Sequence, residues 1–328
     1  MSEYAKLQAR LDNGEVILLD GAIGTQLQTM GVPMSSRAWA GIALKDYPFT
    51  VRRMHENYIK AGVDVITVNT YPSARHNLEP LGLADMTVEL NLRAVMLAQE
   101  ARDSAAGDRP IYIAGAVSNY GLLTGSEPGW RDLPYFQGRS ELSEHQALAN
   151  LEEQAAILAE AGVDFLVAEA TGSNLQRKWV VEACLATGLP VWTGFKVRLD
   201  EGDSTARIGY RSELALVDGF DEIASLGGTV VTIFHSSVAS TDAALVIAKE
   251  RWSGSLGIYP EAERLDYVDT YRDRAAPTRL TPEEFLAKAQ AWVAQGVQII
   301  GGCCGVELEH IQSLRESLPT HVPDGTEA

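Results

Sequence analysis

The chain of 328 residues predicts an α/β fold, a single (β/α)8 barrel of the TIM type. Two observations carry this. Eight short, apolar, β-branched runs recur along the whole length, and amphipathic stretches with three- and four-residue apolar spacing separate them. Each run is too short for an independent helix and too uniformly apolar for a half-exposed strand, so it reads as a strand buried on both faces of a parallel sheet. Eight strand-and-helix units in about 300 residues fit a closed barrel better than an open doubly wound sheet. The turn after the first run, GAIGTQLQTMG, has glycines but lacks the GxGxxG spacing of a dinucleotide site.

In chain order the predicted strands are VILLDG (16–21), VDVITVNTY (63–71), IYIAGAVS (111–118), VDFLVAEA (163–170), VWTGFKV (191–197), TVVTIFHS (229–236), SLGIYP (255–260) and VQIIGGCC (297–304). Among the intervening helices, SELSEHQALANLEEQAAILAEAG is the clearest, with Gly162 standing where it would end. The stretch 122–138 is the longest without periodicity, a pattern that often marks a functional loop. The tail LPTHVPDGTEA reads as a frayed end. We therefore expect one domain over residues 1–328, with a core of about 14–317.

Composition narrows the function. The chain is 46% hydrophobic with a formal net charge of -17, an ordinary globular composition whose sign repels a phosphate backbone, so nucleic acid is not an expected partner. No stretch has the roughly 18 apolar residues of a membrane span, and no basic segment followed by an apolar run opens the chain. A cytoplasmic location without membrane association is expected, and assembly into a homo-oligomer is left open. In a reducing compartment three cysteines argue against a disulfide framework.

In a barrel of this kind the reactive groups come from the carboxyl ends of the strands. Those ends carry Asp20, then Asn69, Thr70 and Tyr71, then Glu169, His235, Tyr259 and Pro260, and finally Cys303 and Cys304 in GGCCG. The paired cysteines can be buried thiols, a redox pair or ligands of one metal. Two thiols with one imidazole form a known three-ligand set for catalytic zinc, with a fourth position left for water or substrate. Flanking glycines would let the backbone come close to the ion. Cys184, on an apolar helical face, reads as packing. The carboxyls of Asp20 and Glu169 would need a cation or backbone donors.

These segments resemble a known family. ILLDGAIGTQLQTMGV, HENYIKAGVDVITVNTY, AGVDFLVAEA, PVWTGFKV, IYPEAE and GVQIIGGCCGVELEHI are similar, in order, to the homocysteine S-methyltransferase family. The resemblance spans nearly the whole chain. It implies a barrel that holds Zn2+ through three cysteines, two of them corresponding to Cys303 and Cys304. The third lies in a segment similar to LGGTVVTIFH, which places His235 at the cysteine and Phe234 at an asparagine. The metal ligands expected here are thus His235, Cys303 and Cys304, and the formal charge of the zinc site rises from −1 to zero. Such a centre should hold an incoming thiolate more tightly and leave it less nucleophilic.

The resemblance further implies that Asp20 and Glu169 receive the amino group of a homocysteine-like substrate and that Gly21, Gly24 and Thr25 receive its carboxylate. Asn69 and Tyr71 would complete substrate binding, with Tyr71 close to the metal. His145 also matches a family position, and on a helix it reads as structural. The expected partners are a small-molecule thiol, homocysteine, and a methyl donor. A sulfonium such as S-methylmethionine or S-adenosylmethionine is favoured, with Trp130 or Tyr135 facing its charge. A corrinoid protein donor, another thiol or selenol acceptor, and a non-catalytic zinc-binding barrel are the alternatives.

Overall fold

In the computed structural model, which describes residues 2–34, 39–125, 136, 139–262 and 280–323, each of the eight apolar runs contains a strand. They are β1 (Ile17–Leu18), β2 (Val65–Thr67), β3 (Tyr112–Ser118), β4 (Phe165–Ala170), β5 (Val191–Phe195), β6 (Val230–Phe234), β7 (Ser255–Tyr259) and β8 (Ile299–Ile300). All are parallel and each pairs with its neighbour in sequence. A bridge between Leu19 and Val65 brings β1 against β2 and closes the ring.

Alternation along the strands sorts their side chains into two layers. Ile17, Val65, Tyr112, Phe165, Val167, Trp192, Val230, Phe234, Tyr259 and Ile299 point inward and fill the barrel. Their neighbours, among them Leu18, Ile66, Ile113, Leu166, Val231 and Ile300, pack against the outer helices. The helix Glu3–Asp12 plugs the amino-terminal end, because Tyr4, Leu7 and Leu11 recur on one face and join the inner cluster. The Trp192 ring packs at a tilt against Phe165, with centroids 4.3 Å apart, and its indole N–H donates to Tyr4 Oη at 3.1 Å. Large side chains buried in this way contribute about 1.5–3 kcal/mol each, so the lower barrel is a packed core and not a channel.

The predicted helix after β3 runs over Glu144–Glu160. Ser143 caps it by accepting from the Gln146 N–H while the Gln146 amide oxygen accepts from the Ser143 N–H. Gly162 ends the connection at φ 88°, a conformation that favours glycine. His145 is exposed on the first turn of this helix. Most of the 122–138 stretch, Trp130 and Tyr135 included, lies outside the described residues. Among the described residues no helix is long and apolar enough to cross a membrane.

The tail departs from expectation. His321 forms an antiparallel bridge with Glu15, and the Val322 N–H donates to Gly14 O at 2.9 Å, so the chain is tied back to the start of β1 as far as Val322. A second difference is an excursion between β5 and β6. There Val197–Arg198 pairs antiparallel with Arg207–Ile208 and brings Tyr210 over the barrel mouth.

Candidate metal centre and active site

At the carboxyl end of the barrel three expected residues come together. The donor atoms of His235, Cys303 and Cys304 all lie within 4.8 Å of one another. His235 Nδ1 is 3.2 Å from Cys303 Sγ and 3.7 Å from Cys304 Sγ. Strand alternation alone would not produce this. Phe234 points into the barrel, so the next side chain should turn to the helix layer. His235 instead adopts φ 46°, one of two positive values among the described non-glycine residues. That left-handed turn holds the imidazole at the mouth, and the His235 backbone N–H donates to Tyr259 O at 3.2 Å.

The loop bearing the thiols is fixed by backbone bonds on both sides. The Cys303 N–H donates to Pro260 O at 2.8 Å, Cys304 O accepts from Ala262 N at 2.9 Å, and the Gly302 N–H donates to Asp20 O at 3.1 Å. A Cβ on Gly302 would stand 2.1 Å from the Val306 side chain, so this glycine lets the loop fold back on itself. Cys184 is fully buried in its helix, where burial pushes its thiol up, in keeping with a packing role.

Around the three donors stand further polar groups. Glu261 Oε1 is 2.8 Å from His235 Nδ1, and Glu261 is almost fully buried. The Tyr210 hydroxyl is hydrogen-bonded to His235 Nε2. Lys196 is also buried, with Nζ 4.7 Å from the centre of the Tyr210 ring. Burial alone would suppress charge on His235, but Glu261 and Cys304 outweigh it and raise the imidazole to about 10. Burial likewise opposes a charged Glu261, and His235 with Lys196 reverses that into a lowered value. The Cys303 S–H donates to Cys304, so Cys304 is lowered to about 5 while Cys303 is raised well above its usual value. Without a metal the cluster therefore sets the His235 imidazole and Lys196 against Glu261 and Cys304.

The two expected substrate carboxyls flank this cluster. Asp20 accepts from the Thr67 N–H at 2.7 Å and from Thr67 Oγ1 at 3.1 Å, yet burial raises it to about 8. Burial also raises Glu169, to about 7, against a stabilising hydrogen bond from the Tyr259 hydroxyl. Tyr71 packs edge-on to Trp39 at 6.0 Å, and burial, with Glu169 nearby, raises its hydroxyl well above the usual value. Asn69 donates its amide to Ala40 O at 3.1 Å, which ties the segment before Gly41 to the rim. Gly24 lies under the Trp39 ring, and Thr25 Oγ1 accepts from the Gly305 N–H at 3.3 Å.

The donor chemistry suits zinc. Two sulfurs and one imidazole nitrogen are its preferred ligands, and about 3.6 Å between nitrogen and sulfur is what tetrahedral coordination requires. The observed 3.2 and 3.7 Å bracket that value. Burial and the coupled thiols also fit a site whose ligands must lose protons when a metal enters.

Comparisons with known proteins bear on the family and the fold. The family described as Homocysteine S-methyltransferase matches residues 17–318. The homocysteine S-methyltransferase of Escherichia coli K12 is 26% identical, covering 96% of this chain and 99% of its own length. The selenocysteine methyltransferase of Astragalus bisulcatus is 25% identical, covering 93% of each. In three dimensions the metallated homocysteine methyltransferase MmuM from Escherichia coli superposes with a TM-score of 0.73 at 23% identity, over 94% of this chain and 99% of that one. The last supports the barrel. With the match extending over most of its length, the chain belongs to the homocysteine S-methyltransferase family.

Proposed function

We propose that the protein transfers a methyl group from a small sulfonium donor to the thiol of homocysteine, giving methionine, with zinc held by His235, Cys303 and Cys304. The observation that carries the reading is the convergence of those three donor atoms within 4.8 Å at the barrel mouth. Zinc bound there would supply a Lewis acid that lowers the proton affinity of the substrate thiol and keeps it as thiolate at neutral pH.

The chain's own residues do the rest. Asp20 and Glu169 receive the substrate ammonium, and the arriving charge offsets the burial that keeps both carboxyls protonated. Tyr259 orients Glu169 through its hydroxyl. Backbone groups at Gly21, Gly24 and Thr25 face the substrate carboxylate. Asn69 holds the Ala40 segment, and the Trp39 and Tyr71 rings form a wall that limits water at the sulfur. With the amino acid gripped at both ends, its sulfur attacks the donor methyl in line. One carbon–sulfur bond forms as another breaks, and alignment supplies much of the acceleration.

A second reading is methylation of a different thiol or of a selenol. It is favoured by Phe234 and His235, which stand where the family resemblance places asparagine and cysteine, and by the similarity to a selenocysteine methyltransferase. Metal analysis of the purified protein, with methylation assays of homocysteine and selenocysteine against S-methylmethionine and S-adenosylmethionine, tests both. One zinc per chain with methionine formation supports the first reading. Turnover of selenocysteine alone supports the second.

A further inference from the structure

We propose that Lys196 receives a carboxylate carried by the methyl donor, so that the site selects sulfonium donors that bear an anion. The proposal rests on the reading that the chain methylates homocysteine from a sulfonium. Lys196 follows β5, and alternation from Trp192, a member of the inner cluster, puts its side chain on the inward face. The residue is 6% exposed, yet among the described residues its ammonium makes no hydrogen bond or ion pair. Nζ lies 4.7 Å from the centre of the Tyr210 ring, whose face attracts a cation but accepts none of its three N–H groups in the usual way. Glu261 attracts the ammonium without touching it: Oε1 is engaged by His235 Nδ1 at 2.8 Å, and Oε2 has no hydrogen-bond partner. A buried ammonium without acceptors is costly, and an anion entering at hydrogen-bond distance removes that cost. Burial lowers Lys196 in keeping with this unmet demand. The hairpin that follows holds the backbone in place, since the Gly209 N–H donates to Lys196 O at 2.8 Å.

Position assigns the anion to the donor and not to the acceptor. In the ring of eight strands β5 stands opposite β1, whose end carries Asp20, one of the carboxyls that meet the acceptor ammonium. In-line displacement puts the incoming and departing sulfurs on opposite sides of the methyl carbon, so the donor's remaining atoms extend away from the acceptor's head group. Charge agrees. A sulfonium without an anion brings a second positive charge toward a buried ammonium, and the two repel strongly where water is scarce. A donor whose carboxylate lies on Lys196 enters with that repulsion cancelled. On transfer the bond from methyl carbon to donor sulfur breaks, and its electron pair stays on that sulfur as a neutral thioether. The acceptor thiolate supplies the pair for the new carbon–sulfur bond.

The test measures binding apart from turnover, on the full zinc-loaded chain with homoserine at saturation, which fills the acceptor site with an alcohol in place of the thiol. The probes are S-methylmethionine, 3-(dimethylsulfonio)propionate and the methyl ester of each, which removes the anion and keeps the sulfonium. Wild type, Lys196→Met and Lys196→Arg are compared by calorimetry, with circular dichroism to show that each is folded. We expect wild type to bind each acid at least about 10-fold more tightly than its ester, Lys196→Arg to keep that preference, and Lys196→Met to lose it. Homoserine affinity should be the same in all three proteins. Equal binding of acid and ester by wild type, no binding of any probe, or a preference retained in Lys196→Met overturns the assignment. So does a loss of homoserine affinity in Lys196→Met as large as the loss for the acids, which would set Lys196 against the acceptor. Methionine formation by wild type from homocysteine and any methyl donor would leave the methyl-transfer reading standing in each of these cases. Its absence with every donor overturns that reading itself.

Discussion

His235 Nδ1 and Glu261 Oε1 stand 2.8 Å apart beside Cys303 and Cys304, on the ends of β6 and β7. Sequence neighbours of ordinary strands thus build a centre in which a single imidazole nitrogen addresses two sulfurs and a carboxylate. The properties of the protein that depend on this nitrogen can be tested one residue at a time.

Replacing His235 separates its two roles. His235→Asn keeps a residue that tolerates the left-handed backbone at φ 46° and removes the ligand. We expect zinc content to fall from one per chain to a small fraction, and the metal-free thermal midpoint to fall as well, because the buried Glu261 carboxylate loses its His235 partner. His235→Cys should keep one zinc per chain, because a thiolate replaces the imidazole. Metal analysis after dialysis against a weak chelator, with calorimetry, checks both.

Tyr210 orients the ring from the far side through its bond to Nε2. Outer partners of this kind typically contribute 10–100-fold to metal affinity. Tyr210→Phe should therefore weaken zinc binding by about that factor and leave the fold unchanged, as competition with a zinc indicator dye would report.

The buried carboxyls give the metal-free protein an unusual dependence on pH. Asp20 rises from 3.8 in the unfolded chain to about 8, so between those values the folded state holds a proton that the unfolded state has released. Stability is then lost as pH rises through that window, by at most about 1.4 kcal/mol per pH unit for this group. Glu169 acts in the same direction up to about 7. Relative to wild type, Asp20→Asn should lose less stability, or gain more, as pH rises from 5 to 8, measured by urea unfolding in the presence of a chelator. Identical pH slopes in the two proteins would contradict the burial of a neutral Asp20.

Gly21 joins the first strand end to the cysteine loop. A Cβ there would meet Val306 O at 2.4 Å and Tyr58 Oη at 2.9 Å, and the backbone oxygen cannot swing away as a side chain could. Gly21→Ala should destabilise the protein by about 1–3 kcal/mol through overpacking and weaken zinc binding by shifting the loop. Denaturant midpoints and zinc titration would show both effects together.

Much of this arrangement was legible in the sequence because buried parallel strands need continuous apolar runs, and all eight runs contain strands. The strand ends likewise showed Asp20, Glu169, His235, Cys303 and Cys304, since ionisable side chains stand out at the edge of an apolar segment. Glu261 was passed over because it lies two residues beyond its strand, within IYPEAE. Inward alternation from Tyr259 was the available signal. Lys196, at the end of VWTGFKV, shares a face with Trp192 by the same rule. Tyr210 carries no such signal, because it reaches the mouth through the hairpin of Val197–Arg198 with Arg207–Ile208, whose course depends on tertiary contacts. The tether of the carboxyl-terminal tail carries no such signal either: it is a backbone bridge to Glu15, and backbone pairing leaves little mark in composition.

The most direct measurement is a crystal structure of the zinc-loaded protein with anomalous data collected at the zinc absorption edge. The account predicts one strong peak per chain, about 2.3 Å from each of Cys303 Sγ and Cys304 Sγ and about 2.0 Å from His235 Nδ1. A peak elsewhere, or an imidazole turned away from both sulfurs with the ion bound, would contradict it.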